Sequence, residues 1–464
     1  MRGRPLVLQL CSIRGCSSSP STSSVYNFVR DLSERGLIAD SHPAPLLADN
    51  EANLKRLPPS VYAGFDPTAP SLHVGNLVVL LSLFRSSSFG CRPLAIIGGA
   101  TALVGDPSGR TTDRDASRLG EAHANKVAVG RQIERLWSNA RKRLLKNARG
   151  ELECIDNTSW YKEMRLLDFL DYTRPLRVGE MLRTRAIRSR LEAGAGSGVS
   201  FPEFVYQSLQ AYDWLRLARD YGCQFQLGGS DQLGHLDIGA HFIGRSLDKW
   251  AAGVCVPLLT DANGHKLGKS TGGGGVWLDC GQTSPFHLFQ FFRQLHDDQA
   301  VIMLKRCSLR PVEELTELEA EHSRNLGKWI VQQALAEEMV EVVHGREAVE
   351  MAQTASRALF SGSLEAVESL PVSVLEDVFG RPIELDAAAI QTFGDLADRT
   401  RTDKQKGSVL MKTGAFRVND VKHTVAEERL GPGTIGLRNA PTLSLVRWGK
   451  RTFQLVRWKG DSRN

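Results

Sequence analysis

The chain has 464 residues, a formal net charge of +6, 42% hydrophobic residues and 24% charged residues. That length exceeds what one hydrophobic core usually supports, so the sequence predicts two to four domains, and no window approaches the roughly 18 uninterrupted apolar residues of a membrane-spanning helix. The eight cysteines are scattered and include no C-x-x-C pair, which argues against a disulfide framework and against a structural zinc site.

The first 30 residues have the composition of a mitochondrial or plastid transit peptide. They contain four arginines and a serine-rich run over residues 17–24, and no acidic residue precedes Asp31. Transit peptides share this basic, serine-rich and acid-poor composition. We therefore expect residues 1–30 to be a disordered targeting segment. A disordered N-terminus without a targeting role is the alternative.

Residues 31–283 alternate between short apolar runs and helical patterns. Apolar runs over residues 60–65, 93–98 and 254–259 are separated by such patterns, and glycine-rich turns follow several of them. This alternation is typical of an α/β domain with a largely parallel sheet. The sequence therefore predicts that fold class for this part of the chain.

The pattern changes after residue 283. From Ser284 to about Ala358, leucine, lysine and glutamate recur at three- and four-residue spacing, which predicts an α-helical domain over residues 284–395. Residues 396–464 predict a small α+β domain that ends in two strands with alternating hydrophobicity, over residues 443–448 and 452–458.

This last domain is strongly basic. Residues 401–464 hold fourteen lysines or arginines against five acidic residues, whereas residues 31–400 carry a net charge of −7. A basic terminal domain on an acidic body is typical of a protein that binds a polyanion such as a nucleic acid. A solvated basic surface without a partner is the alternative.

Two separate segments predict a site for a phosphate group. The segment Ser71-Leu72-His73-Val74-Gly75-Asn76 opens an apolar helix, and the backbone N–H groups and dipole of a helix start attract anions. Far downstream, Lys266 and Lys269 lie three residues apart on a glycine-flanked loop. Such a loop could close over a triphosphate and bring positive charge to a transition state.

A third pattern predicts a polar pocket. Tyr206, Gln210 and Asp213 fall at positions i, i+4 and i+7 of a predicted helix, so their side chains would lie on one face. The surrounding segment is apolar, and buried polar groups need a partner. Either this stripe binds a polar ligand inside the protein, or it faces solvent on an ordinary amphipathic helix.

The two phosphate-site segments resemble the HIGH and KMSKS signatures of class I aminoacyl-tRNA synthetases. His73-Val74-Gly75-Asn76 corresponds to the first, and Lys266-Leu267-Gly268-Lys269-Ser270, about 190 residues later, corresponds to the second. Three blocks between them, over residues 98–110, 206–213 and 226–232, resemble the tyrosyl-tRNA synthetases in particular. The resemblance is strong over residues 55–360 and weak over the C-terminal domain.

The resemblance implies a fold and a reaction. The fold would be a Rossmann-like class I catalytic domain over residues 31–283, followed by an α-helical domain that binds the anticodon arm of tRNA and by a small C-terminal α+β RNA-binding domain. The enzyme would activate tyrosine with ATP, accompanied by Mg²⁺, to tyrosyl-adenylate and pyrophosphate, and would then transfer tyrosine to the 3′ end of tRNA(Tyr). It would have no tightly bound cofactor and no membrane association. A homodimer in the mitochondrial matrix is also implied.

The resemblance also assigns roles to individual residues. Tyr62 and Asp213 would bind the phenol hydroxyl of tyrosine. The rest of the tyrosine site would be Asp106, Tyr206, Gln210 and Gln232. The catalytic residues would be His73, Asn76, Arg110, Arg114, Lys266 and Lys269. The ATP site would be Gly64, Asp66, Thr68, His73, Gly75, Asn76, Gly228, Gly229, Asp231, Gln232, Lys266, Lys269 and Ser270.

Asn76 replaces the second histidine of the first signature. A side-chain amide can still donate a hydrogen bond, so we expect weakened rather than abolished activation. Arginine and lysine side chains of the C-terminal domain are candidates for contacts with RNA phosphates. These candidates are Arg417, Lys422, Arg447, Lys450 and Arg451.

Two other functions fit parts of the pattern. An RNA-binding protein without ligase activity is one, because some relatives of these enzymes also act on structured introns; the lysine pair, Asp106 and Asp213 argue against it. A synthetase for another amino acid, such as tryptophan, is the other. The pair Tyr62 and Asp213 argues against that alternative.

Overall fold

The computed structural model describes residues 24–108, 121–145, 148–192, 198–259, 275–361, 363–401, 407–431, 435–449 and 452–459. Most of the predicted targeting segment lies outside these ranges. So do several predicted site residues, namely Arg110, Arg114, Lys266, Lys269, Ser270, Lys450 and Arg451.

The described residues form two sheets and many helices. The strands are β1 (Asp40–His42), β2 (Ser60–Phe65), β3 (Arg92–Ile97), β4 (Glu153–Asp156), β5 (Phe225–Gly229), β6 (Ala252–Val256), β7 (Ile383–Asp386), β8 (Phe416–Val418), β9 (Val421–Lys422), β10 (Leu443–Trp448) and β11 (Thr452–Lys459). The helices up to β6 are α1 (Ser24–Glu34), α2 (Leu46–Asp49), α3 (Glu51–Arg56), α4 (Val74–Ser86), α5 (Thr101–Val104), α6 (Ala122–Arg143), α7 (Thr158–Tyr161), α8 (Leu166–Tyr172), α9 (Val178–Arg183), α10 (Arg185–Glu192), α11 (Phe201–Asp220) and α12 (Leu233–Leu247). The later helices are α13 (Pro285–Arg293), α14 (Asp297–Cys307), α15 (Val312–Arg324), α16 (Ile330–His344), α17 (Arg346–Ser361), α18 (Leu364–Glu368), α19 (Val372–Phe379), α20 (Phe393–Thr400) and α21 (Gly407–Leu410).

The first sheet confirms the predicted α/β class. Its six strands lie in the order β1-β6-β5-β2-β3-β4. The pairs among β2 to β6 are parallel, and only the edge strand β1 runs antiparallel, against β6. Strand β2 coincides with the apolar run over residues 60–65. Strand β6 begins two residues before the predicted run over residues 254–259 and ends three residues before the end of that run. Helices cover the sheet, so β2, β3 and β6 are almost wholly buried.

The order of the strands sets where a ligand can bind. From β2 the chain continues to β3 and β4 on one side, and it then crosses to β5 and β6 on the other side. In open α/β sheets, a crevice forms at the carboxyl ends of the strands where the winding direction reverses. That place is the junction of β2 and β5.

Helix α1 corrects the prediction for the N-terminus. The prediction that residues 1–30 are disordered is wrong for residues 24–30, which belong to α1. Val25, Phe28, Val29 and Leu32 are buried in the core beneath the sheet. These residues recur at helical spacing and bury apolar surface, which stabilises the helix.

The helical part of the chain begins where the sequence predicts. The Ser284 hydroxyl caps α13 by accepting a hydrogen bond from the His287 backbone N–H at 3.2 Å. Buried residues of α13, α14 and α16 belong to the same core as the first sheet. The helical part is therefore packed directly against the α/β part. None of the helices described is both long and apolar enough to cross a membrane.

The second sheet has five strands in the order β7-β11-β10-β8-β9. Strands β10 and β11 match the two predicted C-terminal strands. Strand β7 pairs in parallel with β11, with Ile383 opposite Val456, and it precedes the predicted domain boundary at residue 396. The C-terminal fold therefore includes a strand from the predicted helical domain. Pairing with β7 provides hydrogen-bond partners for backbone groups along one edge of the long strand β11.

Candidate active site

A cavity of about 290 Å³ lies at the crevice beside β2. It is lined by the ends of β2 and β5, by the starts of α4 and α12, and by one face of α11. The predicted site residues in its wall are Tyr62, Gly64, Asp66, His73, Gly75, Asn76, Asp106, Tyr206, Gln210, Asp213, Gly228, Gly229, Asp231 and Gln232. Thr68 is exposed and is not one of the residues that line the cavity.

The Asp213 carboxylate is buried and held by three neighbouring groups. The Asn157 amide donates to Oδ2 at 2.9 Å and the Trp160 indole N–H donates to Oδ1 at 2.8 Å. The Tyr161 hydroxyl lies 2.8 Å from Oδ1. Burial raises the pKa of Asp213 to about 7, because these hydrogen bonds offset only part of the loss of solvation. The carboxylate is thus fixed in position and titrates close to neutral pH.

The Tyr62 hydroxyl is buried in the same cavity. Among the described residues it has no hydrogen-bond partner. Burial, together with the nearby Asp213 carboxylate, raises the pKa of Tyr62 well above its ordinary value, so the hydroxyl stays protonated and can donate. A buried hydroxyl without a hydrogen-bond partner lowers stability by about 1–3 kcal/mol. A ligand hydroxyl that hydrogen-bonds to it would restore this free energy on binding.

Asp66 is held at the carboxyl end of β2. The Tyr206 hydroxyl donates to its Oδ2 at 2.8 Å, and the Thr101 hydroxyl donates to its Oδ1 at 2.7 Å. A Cβ atom at Gly98 would lie 1.9 Å from Asp66 Oδ1. Glycine at residue 98 therefore allows this carboxylate to lie against the end of β3.

A chain of hydrogen bonds holds Asp106. The Gln232 amide donates to Asp106 Oδ2 at 2.9 Å, and the Gln210 amide donates to Gln232 Oε1 at 3.1 Å. His235 Nδ1 lies 2.7 Å from Gln210 Oε1, so Nδ1 carries the ring proton. Burial tends to raise the pKa of Asp106, but His235 and the hydrogen bonds from Ser108 and Gln232 outweigh it and hold the pKa below its usual value.

Four carboxylates therefore line one cavity, those of Asp66, Asp106, Asp213 and Asp231. Negative charge that is already fixed by hydrogen bonds favours a cation. The ammonium group of an amino acid has that charge. The predicted polar stripe on α11 thus faces a pocket rather than solvent, since Tyr206 and Asp213 are both buried there.

The start of α4, where the sequence predicts an anion site, lies at the cavity. The His73 backbone N–H donates to Asn76 Oδ1 at 3.0 Å. The oxygen of the Asn76 amide is therefore occupied, and its NH₂ group is the part that can donate to a ligand. Helix α12 also begins at the cavity, with Gln232 as its N-cap residue. Two helix N-termini converge on the cavity, and their dipoles favour a negatively charged ligand such as phosphate.

The described residues on either side of the lysine segment also lie at this site. Leu259, which precedes that segment, lines the cavity. After it, the Val276 carbonyl accepts a hydrogen bond from the Val74 N–H at 2.9 Å, and the Leu278 N–H donates to the Leu72 carbonyl at 2.9 Å. The residues that follow the lysine segment are thus fixed beside the start of α4, and the residue before residue 260 lies at the cavity.

Several residues that hold the carboxylates were not predicted from the sequence. The carboxylates of Asp66 and Asp213 are contacted by Thr101, Asn157, Trp160 and Tyr161, and Asp106 is held through Gln232 and Gln210 by His235. A signal was present for one group, because Asn157 follows directly after a strand of the parallel sheet. Polar residues at the carboxyl end of such a strand are candidates for a ligand site.

The structure places three of the predicted RNA contacts on one corner of the second sheet. Arg417 and Arg447 both form ion pairs with Asp420 Oδ1, at 3.2 Å and 3.1 Å. Lys422 pairs with Arg417 across β8 and β9. Asn419 and Asp420 have positive φ angles in the two-residue turn between these strands, as hairpins of this type require. Asp420 therefore offsets part of the positive charge of this corner.

Comparison with known proteins identifies the family. Residues 54–361 match the model of a family described as tRNA synthetases class I (W and Y). The chain is 37% identical over 445 residues to a mitochondrial tyrosine–tRNA ligase of Drosophila melanogaster, covering 92% of this chain and 94% of that protein. The chain belongs to the tyrosyl-tRNA synthetase family. This confirms the family that the signature segments predict.

Other members of the tyrosyl-tRNA synthetase family agree in sequence and structure. A human mitochondrial tyrosine–tRNA ligase is 36% identical over 439 residues, which cover 91% of this chain and 90% of that protein. A C-terminally truncated mitochondrial tyrosyl-tRNA synthetase of Aspergillus nidulans superposes with a TM-score of 0.64 at 30% identity, covering 73% of this chain and 97% of that chain. The class I fold predicted for the first part of the chain is confirmed.

Proposed function

We propose that this protein is a tyrosine–tRNA ligase that activates tyrosine with ATP and transfers it to tRNA(Tyr). The observation that carries the proposal is that one cavity holds both the Asp213 carboxylate, which is fixed by hydrogen bonds, and the Tyr62 hydroxyl, which has no hydrogen-bond partner among the described residues. A phenol hydroxyl can accept a hydrogen bond from Tyr62 and donate one to Asp213. Phenylalanine would leave both groups buried without a partner, so it would be rejected.

The remaining cavity groups suit the rest of the amino acid and the nucleotide. Asp106, Tyr206 and Gln210 would surround the substrate ammonium. The starts of α4 and α12 would bind phosphate, with the Asn76 amide as a donor. Because the substrate carboxylate attacks the α-phosphate directly, the chain needs to supply positioning and charge stabilisation rather than a covalent nucleophile.

Residues outside the described ranges complete this proposal. Lys266 and Lys269 would stabilise the pyrophosphate leaving group, together with Arg110 and Arg114. ATP would enter with Mg²⁺, which is held mainly by phosphate oxygens and water. Asp66 and Asp231 are oxygen donors of the type that Mg²⁺ accepts, although the described residues contain no group of three or more potential metal ligands.

We propose further that two copies of the chain form a homodimer through the surface of α8 to α11. Large apolar side chains are exposed along this stretch: Leu166, Leu167, Leu170, Val178, Leu182, Leu191 and Phe201. Many exposed large apolar side chains in neighbouring segments of the chain are typical of a protein interface. Leu167→Glu should convert a dimer to a monomer in sedimentation velocity, whereas Phe360→Glu, at an exposed apolar residue on α17, should not.

The proposed location is the mitochondrial matrix. The composition of the N-terminal segment supports it, as does the similarity to mitochondrial enzymes from fly and human. The proposed RNA contacts of the C-terminal domain, Arg417, Lys422, Arg447, Lys450 and Arg451, would bind the tRNA backbone. The helical part, residues 284–395, would bind the anticodon arm.

Exchange of labelled pyrophosphate into ATP tests the proposed activity. We expect exchange that depends on tyrosine and that phenylalanine and tryptophan do not support. Exchange with tryptophan in place of tyrosine would overturn the substrate assignment. Absence of exchange with every amino acid, together with retained binding of a tRNA(Tyr) transcript, would leave an RNA-binding protein without ligase activity.

A further inference from the structure

Trp329 has an unusual backbone conformation for its residue type. It is the N-cap of α16 and has φ 55° and ψ 43°, in the left-handed region. The other non-glycine residues with positive φ in the described ranges are Asp248, Asn419 and Asp420, which are types that adopt this conformation readily. A bulky aromatic residue does not, so the local fold must impose it.

The turn that carries Trp329 is well fixed. The Trp329 N–H donates to the Leu326 carbonyl at 3.1 Å, and the Trp329 carbonyl accepts from the Gln333 N–H at 2.9 Å. The unfavourable conformation is therefore a feature of an ordered turn between α15 and α16. Its effect is to hold the indole outside the core, where 44% of the residue is exposed.

Arg293 fixes the orientation of the indole. Its guanidinium carbon lies 4.7 Å from the centroid of the Trp329 ring, in a cation–π arrangement. Its Nε donates to Gln333 Oε1 at 2.9 Å, which ties the end of α13 to the start of α16. One face of the ring is thus covered by a guanidinium, and the exposed area remains available to a ligand.

The charges around this ring favour an anionic partner. Arg324, at the end of α15, and Lys328, directly before Trp329, are both exposed. Neither forms an ion pair with any residue that the structure describes. The nearby Glu337 already accepts hydrogen bonds from Gln333 and Gln353. An aromatic face flanked by unpaired cations is the arrangement that binds a nucleobase with its adjoining phosphates.

We propose that Trp329 is a stacking residue for one unpaired base of the tRNA, with Arg324 and Lys328 on the neighbouring phosphates. This inference rests on the proposed function, because it takes the RNA substrate from there. It adds a contact that none of the sequence motifs indicates. Trp329 is not among the residues lining the active-site cavity, so the contact would act on tRNA binding and not on tyrosine activation.

Three variants test the stacking role: Trp329→Ala, Trp329→Phe and the matched control Phe360→Ala. Phe360 is an aromatic residue of the helical part that is 68% exposed. For Trp329→Ala we expect weaker binding of a tRNA(Tyr) transcript by between about 5-fold and 100-fold, with a matching loss in kcat/KM for the transcript. Tyrosine-dependent pyrophosphate exchange, which needs no tRNA, should be unchanged. Trp329→Phe should keep most of the affinity, and Phe360→Ala should keep all of it.

Two further measurements locate the partner groups. The double variant Arg324→Gln, Lys328→Gln should reduce the slope of log affinity against log salt by about 1.5, as expected for two phosphate contacts. Transcripts with single abasic sites in the unpaired loops should identify the stacked base. At that site, Trp329→Ala should cause no additional loss of affinity.

Three outcomes would overturn the inference. They are wild-type affinity in Trp329→Ala, an equal loss in Trp329→Phe, and an equal loss in Phe360→Ala. The binding measurement separates this inference from the proposed function. A wild-type chain without tyrosine-dependent exchange would refute the ligase assignment, while the affinities of the variants for the transcript would still decide the role of Trp329.

Discussion

The proposed tyrosine pocket and the basic corner of the second sheet hold charged groups in different ways. In the pocket, Asp213 is 5% exposed and three side chains of α7 and its N-cap hold it. At the corner, Arg417 and Arg447 share the exposed Asp420. The Asp420 carboxylate is open to solvent, whereas the Asp213 carboxylate is almost wholly removed from it.

This difference sets the size of the effects to expect. Removing one partner from a buried network leaves its other members unsatisfied, which is costly. Exposed ion pairs contribute little to stability, typically about 0–1 kcal/mol. Changes in the pocket should therefore alter specificity by orders of magnitude, whereas changes at the corner should tune RNA affinity by small, salt-dependent factors.

The largest effect is expected for Asp213→Ala. It removes the proposed acceptor of the substrate hydroxyl, and it also leaves one N–H of the Asn157 amide and the Trp160 indole N–H without their acceptor. We expect kcat/KM for tyrosine in pyrophosphate exchange to fall by about 100-fold, mainly through KM, and rejection of phenylalanine to weaken. The control is Asp220→Asn, an exposed carboxylate on the same helix, which should have no effect. An unchanged ratio of tyrosine to phenylalanine activation would contradict the assignment.

Tyr62→Phe should lower activity and raise stability at once. The substrate loses one hydrogen bond from a neutral donor, so kcat/KM for tyrosine should fall by about tenfold. The unliganded protein loses a buried hydroxyl that has no partner in the part of the chain that the structure describes, so its free energy of unfolding should rise by about 1 kcal/mol. Denaturant unfolding without ligands measures this. A less stable variant would show that the hydroxyl is satisfied in solution.

The pH dependence of tyrosine activation should report on Asp213. Burial raises the pKa of this carboxyl to about 7, and we expect the substrate hydroxyl to need the ionised form. Below that pH, kcat/KM for tyrosine should therefore fall by about tenfold per pH unit. Tyr161→Phe removes a hydrogen bond that lowers the pKa of Asp213, so the acidic limb should move to higher pH. A limb that stays in place would exclude Asp213 as its origin.

The raised pKa of Asp213 also makes the free energy of unfolding depend on pH, with a sign that follows from proton binding. A carboxyl whose pKa is raised in the folded state binds a proton there at pH values where the unfolded chain has already lost it. The contribution of Asp213 to stability in the unliganded protein should therefore decrease as pH rises from about 4 to about 7. Asp213→Asn should remove this part of the pH dependence of unfolding.

The comparison also explains which parts could be predicted from the sequence. Strands β2, β10 and β11 were predictable because apolar runs and alternation are local patterns. The cavity residues His73, Gly75 and Asn76 of the first signature segment were predictable because that segment forms the start of a helix by itself. Residues 24–30 were misassigned because a basic, serine-rich composition continues into α1, whose apolar residues recur at helical spacing.

The hydrogen bonds that hold Asp213 could not be predicted from the sequence, and the reason is physical. Asn157 donates to groups 56 residues away on both sides, Thr101 and Asp213. Those contacts exist only because β4 pairs with β3 and α11 crosses the sheet. Likewise, the pairing of β7 with β11 joins residues on both sides of the predicted boundary. Long-range pairing leaves no local periodicity to detect.

The smallest effect is expected at Asp420, and its sign is the informative part. If Arg417 and Arg447 contact tRNA phosphates, Asp420 competes with those phosphates, so Asp420→Asn should increase affinity for a tRNA(Tyr) transcript by a few-fold and steepen its salt dependence. Lys422→Gln should reduce the salt slope by about 0.8. Tyrosine-dependent exchange should not change in either variant, since neither residue lines the cavity. Weaker tRNA binding by Asp420→Asn would mean that the carboxylate positions Arg417 and Arg447. The corner and the pocket would then both depend on charged groups that their neighbours hold in place.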